Sequence, residues 1–185
     1  MKKYIYRVGC ILVLALVVTA SFSIAINAEE LSKAEQEEVQ RIVTAFKINP
    51  GAGMILLETL AREKPELACE AIAKLAKIMP EATVMAIAKL AKSYPKVAVC
   101  ALLRIASDSE KLSKTYPEKA KALEAVIIEA VKEMIKKTPD VAAIAVVSLL
   151  EAAPEIGERA RDEAVAAGLT KQYLRAASPT GPCIW

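Results

Sequence analysis

The chain contains no histidine. That removes the commonest general base, the usual proton switch near neutral pH and the most frequent metal ligand. Nucleophilic triads built on an imidazole go with it, and metal sites of the Cys/His type lack both their histidines and their spacing. Glycine is scarce: six residues, scattered, form no glycine-rich loop to cradle a phosphate. Nor is there a surplus of charge. The 25 basic and 22 acidic residues differ by three, and Lys2, Lys3 and Arg7 at the N-terminus account for that difference. The balanced remainder has no electrostatic reason to seek nucleic acid or an anionic surface. Carboxylate pairs suited to acid–base work are missing too. Glu129 and Glu133 share a helical face, but Lys132, Lys136 and Lys137 surround them in the pattern of a solvated surface. Glu29, Glu30, Glu35, Glu37 and Glu38 form a run at a helix start rather than a metal box. The expectation is a non-enzyme with no catalytic residue, cofactor or metal.

What is present begins with a leader. Lys2, Lys3 and Arg7 form a basic stretch, an uncharged apolar run follows from Val8 to Ala28, and Glu29 and Glu30 close it. This is the order of a secretory signal, with small residues at Ala25 and Ala28 as cleavage points. At ~1.5 Å per residue the run is also long enough to cross a bilayer, so residues 8–28 would anchor an uncleaved chain. The polar Thr19, Ser21, Ser23 and Asn27 late in the run favour cleavage. Either way the positive flank stays in the cytoplasm and the rest is exported, to a periplasmic or extracellular location. Cys10 precedes the apolar core and is not a lipidation cysteine. The expected organisation is a signal peptide or signal anchor over 1–28, a single all-α helical-repeat domain over 29–177 and a C-terminal tail over 178–185.

Prolines stand at Pro50, Pro65, Pro80 and Pro95, fifteen residues apart, and Pro139 and Pro154 resume that spacing. Aligned on proline, Pro65–Met79 and Pro80–Tyr94 match at nine of fifteen positions. An internal repeat explains this; composition does not. Each unit has the grammar of one short helix. Proline suits the first helical turn, where its missing N–H costs nothing. Glu66, Glu81, Glu118, Asp140 and Glu155 follow prolines and complement the helix N-terminus, while Lys74, Lys77, Lys89 and Lys92 complement C-terminal ends. Leu67, Ala71, Ile72, Leu75, Ala76 and Met79 recur at three- and four-residue steps as an apolar stripe. The next proline stops the helix, because its predecessor avoids the α conformation. About twelve helical residues and a short turn fold consecutive helices back as antiparallel hairpins.

Outside this series, Ser32 and Glu35 make a capping box for a first helix running to about Lys47. Residues 107–116 are polar and read as a longer connection or broken turn. Glu118 to Lys137 reads as a longer amphipathic helix, the last unit ends near Gly168, and a short helix is expected from Thr170 to Ala177. Over about residues 50–168, paired units resemble the HEAT and armadillo-like α-solenoids. The resemblance implies stacked hairpins, as a small solenoid or compact bundle, with an extended surface for protein binding. Leu31-Ser32-Lys33-Ala34-Glu35-Gln36 is similar to the L-T-x-x-Q motif of small periplasmic helical chaperones. That resemblance implies a chaperone-like or stress-response role as the alternative. A membrane-active protein fits less well, given balanced charge and proline-broken helices.

Three places invite a functional reading. Cys69 and Cys100 lie 31 residues apart, one hairpin plus one residue, and would fall on equivalent helices of successive hairpins. A disulfide between them competes with two small buried core residues. The repeated lysines would lie on two edges, with Lys74, Lys77 and Arg104 on one and Lys89 and Lys92 on the other; dipole complementation and solubility explain them best. Cys183, Ile184 and Trp185 end the chain as an apolar tip with a thiol, a partner contact or a frayed tail. The function expected is a non-enzymatic scaffold that binds a protein partner or self-associates, with membrane contact only through an uncleaved leader.

Overall fold

The computed structural model describes residues 31–170, 173 and 174. The leader over 1–28 and the tail over 178–185 lie outside the described residues. So does most of the helix expected from Thr170 to Ala177, of which Tyr173 and Leu174 are helical. Contacts divide the chain into Met1–Lys33 and Ala34–Trp185, and the second unit carries the repeat.

Among the described residues the protein is all-α. Eight helices follow one another: α1 (Lys33–Ile48), α2 (Pro50–Glu63), α3 (Pro65–Ala76), α4 (Pro80–Ser93), α5 (Pro95–Ser113), α6 (Pro117–Lys137), α7 (Pro139–Ala152) and α8 (Pro154–Ala166). Every helix after α1 opens on proline, as expected.

The junction between helices is sharper than the sequence suggested. The residue before proline opens each of these helices, and at Lys64, Tyr94, Thr138 and Ala153 the same residue also closes the helix before it. Lys64, Met79, Tyr94, Tyr116, Thr138 and Ala153 share nearly one conformation, with φ between −146 and −137° and ψ between 62 and 76°. Steric conflict with the proline ring keeps them out of the α region. Each donates its N–H to the carbonyl four residues back, as Lys64 does to Leu60 at 2.7 Å and Tyr94 to Leu90 at 2.6 Å. Each also accepts from the N–H four residues ahead, as Lys64 does from Ala68 and Tyr94 from Ala98, both at 3.1 Å. Backbone bonds therefore pair a carbonyl of the preceding segment and an N–H of the opening helix at each of these junctions, with no side-chain N-cap. Asn49 is the exception: its Oδ1 accepts from the N–H of Gly51 at 2.9 Å and of Ala52 at 3.3 Å.

The proline spacings order the rest. They run 15, 15, 15, 22, 22 and 15 residues from Pro50 to Pro154. The two long units add seven residues, about two helical turns, so the apolar face stays in phase. Residues 107–113 accordingly continue α5 rather than breaking it, which corrects the loop expectation. Their polarity has a structural reason. Ser109 is buried and donates its hydroxyl to the Ala120 carbonyl of α6 at 3.0 Å, and Asp108 Oδ2 pairs with Lys77 Nζ at 2.7 Å.

The main helix contacts join each helix from α2 onward to the next and the next but one. Ion pairs fix the directions. Glu70 of α3 meets Arg104 of α5 at 2.9 Å, and Lys77 meets Asp108 further along both helices. Glu124 and Lys132 of α6 meet Arg159 and Glu163 of α8 in the same order. Next-but-one helices are thus parallel neighbours, and the helix between them runs back. Two rows result: α2, α4, α6 and α8 in one, and α3, α5 and α7 in the other. The stack is a small α-solenoid or bundle of hairpins.

The core lies between the rows. Leu57, Ile72, Leu75, Ile87, Leu90, Leu102, Ile105, Ile127, Met134 and Leu149 are fully buried, interleaved with alanines such as Ala68, Ala98 and Ala130. Alanine favours helix and lets neighbouring axes approach closely. Glycine takes this furthest at two hairpins. A Cβ on Gly157 of α8 would stand 2.5 Å from the Leu150 backbone of α7, and one on Gly53 of α2 would stand 2.6 Å from the Phe46 ring of α1. The array stops at Gly168 (φ 102°), as the sequence suggested. Gly168 N–H donates to Val165 O, and Leu169 N–H to Ala164 O, while Leu169 is itself buried. This paired arrangement is a Schellman cap.

Candidate functional site

The row containing α3 and α5 brings Cys69 and Cys100 together. Cys69 is the fifth residue of α3 and Cys100 the sixth of α5, so parallel packing places them side by side. The buried Cys69 thiol lies 3.6 Å from the Val97 carbonyl. Val97 is one turn before Cys100, and helical side chains lean toward the N-terminus. The Cys69 sulfur therefore reaches the turn of α5 that carries Cys100, and each thiol perturbs the other's ionisation. Both are thiols in the structure, Cys69 buried and Cys100 exposed.

Their surroundings make the two unequal. The hydrogen bond with Cys100 and burial both push the Cys69 thiol well above its ordinary range. The Cys100 thiol is held below its ordinary value, chiefly because Cys69 donates to its ionised form. Arg104, one turn beyond Cys100, adds to that effect, while burial and the carboxylates of Glu66 and Glu70 oppose it. Arg104 reaches Glu70 through Nη2, and its buried Nε–H donates to no protein acceptor.

Of the residues on the expected edges, Lys77, Arg104 and Lys89 are engaged between helices. Lys77 and Arg104 bind partners across α3 and α5, and Lys89 Nζ reaches Glu58 of α2 at 2.9 Å. These are register pins as well as dipole partners. Glu133 is held by Lys136, which depresses its carboxyl, and by Lys137 at 3.9 Å, as a solvated helix surface requires. Cys183, Ile184 and Trp185 lie outside the described residues.

Sequence reasoning missed an apolar strip on the other row. Ile55 and Met85 both stand five residues after the proline that opens their helices, α2 and α4, and are 65% and 73% exposed. Ile48 at the end of α1 is 81% exposed. The signal was available: the same repeat position holds Glu70 in α3 and Cys100 in α5, so it points outward. A shallow depression of about 430 Å³ lies on α1, lined by Glu37, Gln40, Arg41, Thr44, Ala45 and Ile48. Among the described residues no group of three or more Cys, Asp or Glu side chains is placed to hold a metal ion. No described helix is long and apolar enough to cross a membrane.

Comparison of the chain with protein-family models, curated proteins and solved structures finds no match.

Proposed function

We propose that the chain is an exported, non-enzymatic scaffold of HEAT- or armadillo-like kind that binds a partner protein or a second copy of itself. One observation carries this reading: large apolar side chains, Ile55 and Met85, exposed at the same repeat position of consecutive helices in one row. A stacked array converts a repeat position into a line, and a line of exposed apolar groups is costly to leave in water unless something covers it. Ile48, at the end of α1, is also largely exposed. Export rests on the basic, apolar, acidic order of residues 2–30 and the small residues before Glu29. The absence of histidine and of paired carboxylates in the sequence supports a binding rather than a catalytic role.

The test combines light scattering with mass spectrometry. Over a concentration series the chain should self-associate, or it should capture a defined partner from its native envelope or culture fluid. The double variant Ile55→Lys/Met85→Lys should abolish that association while keeping its helical circular dichroism. A chain that stays monomeric and captures nothing, or a double variant that associates unchanged, contradicts the proposal. Intact mass of the exported protein tests the leader separately, with cleavage after Ala28 as the expected result.

A further inference from the structure

Cys69 and Cys100 present more than a site for a structural crosslink. The Cys69 sulfur reaches from α3 to the Val97 carbonyl, one turn before Cys100 on the parallel neighbour α5, the arrangement in which cysteine Cα atoms come within bonding reach. Their accessibility differs sharply: Cys69 is buried in α3, whereas Cys100 faces solvent. Arg104 stands one helical turn after Cys100, with its charge beside the thiol and its Nε–H lacking a protein acceptor. The carboxylates of Glu66 and Glu70 on α3 oppose the thiolate, and Glu70 pairs with Arg104 at 2.9 Å.

We propose that Cys69 and Cys100 form a thiol–disulfide exchange site, in which Cys100 accepts a thiol group from a small aliphatic disulfide and Cys69 resolves it by closing an α3–α5 disulfide. The order follows from access. A disulfide RSSR can approach only Cys100 in line, so the Cys100 thiolate attacks one sulfur, forms Cys100–S–SR and expels RS⁻, which takes up a proton. Cys69 then loses its proton and attacks the Cys100 sulfur, releasing the second RS⁻, which is protonated in turn. Two protein thiols and one RSSR become one protein disulfide and two RSH; the protein is oxidised by two electrons and the small disulfide reduced by two. The neighbouring Cys69 thiol and, to a smaller degree, the cation at Arg104 favour the attacking thiolate against burial and the carboxylates of Glu66 and Glu70, which leaves the Cys100 thiol below its ordinary value. The site depends on the α3–α5 register alone and stands whether or not the chain is a scaffold.

Oxidised glutathione is the probe, applied to the reduced full-length chain with the products mapped by peptide mass. The wild type should lose two hydrogens across the peptides carrying Cys69 and Cys100 and release two glutathiones per disulfide formed. Cys69→Ser should stop at a glutathionyl group on Cys100. Cys100→Ser should leave Cys69 unmodified. First modification at Cys69, or a wild type whose Cys100 stays glutathionylated or untouched, overturns the proposal. Wild-type alkylation with iodoacetamide covers the case in which a serine variant unfolds. Cys100 should react roughly tenfold or more ahead of Cys69, and equal rates overturn the assigned order.

Discussion

In α2 to α4 each unit closes within fifteen residues, and the leucine five places before the next proline is buried: Leu60, Leu75 and Leu90. In α5 the unit lengthens to 22 residues, and the equivalent Leu112 is only half-buried. The junctions nevertheless match, since Tyr94 and Tyr116 share a φ of −137° and the same pair of backbone hydrogen bonds. Junction geometry is therefore set locally by proline, while burial is set by whether a further helix lies alongside. Two extra turns in α5 and in α6 keep the faces in phase and carry a hairpin tip beyond the positions that the shorter helices cover. There, polar links such as Ser109 to Ala120 do part of the work that leucine and alanine do elsewhere.

Truncating the paired leucines tests this contrast most strongly. Leu90→Ala should cost about 2–5 kcal/mol in urea unfolding, as for a fully enclosed core leucine. Leu112→Ala should cost less than half of that, because part of its side chain already meets water. Equal costs would place both leucines in equivalent surroundings and break the comparison. Next comes the short hairpin α7–α8. Gly157→Ala should lower stability by about 1–3 kcal/mol, since the added methyl meets backbone that cannot turn aside. A gain in stability would show that the helices stand further apart. At the tip, Ser109→Ala should cost about 1 kcal/mol, the net worth of a buried neutral hydrogen bond, and should increase amide exchange over 107–123 first. The smallest effect is expected at the row surface. Lys89→Ala removes a solvent-exposed pair with Glu58 and should shift stability by no more than ~0.5 kcal/mol, an effect that added salt erases.

Much of this fold was legible because proline marks every junction and helical periodicity fills the space between. The extent of α6, read as Glu118 to Lys137 and found from Pro117 to Lys137, and the stop at Gly168 were readable from proline, charge and glycine alone. The end of α5 was misread for a physical reason. Ser107, Asp108, Ser109 and Glu110 have the composition of a loop, and only tertiary partners, Lys77 and the Ala120 carbonyl, show why polar residues sit in a helix there. The meeting of Cys69 and Cys100 was readable from their spacing, but the difference between them was not, because exposure depends on which helix flanks each face. The ion pairs between parallel helices were likewise hidden: Lys77 and Asp108 are distant in sequence and become neighbours only when α5 stacks on α3. The Ile55 and Met85 strip was present in the repeat alignment, and recognising it required knowing which repeat position faces outward.

Zero-length carbodiimide coupling of amines to carboxylates, read by mass spectrometry of the joined peptides, tests the two-row stack most directly. The account predicts links between Lys77 and Asp108, Lys89 and Glu58, and Lys132 and Glu163, each joining a helix to its next-but-one neighbour. Dominant intramolecular links between α2 and α7 or between α3 and α8, with these three missing, would contradict it.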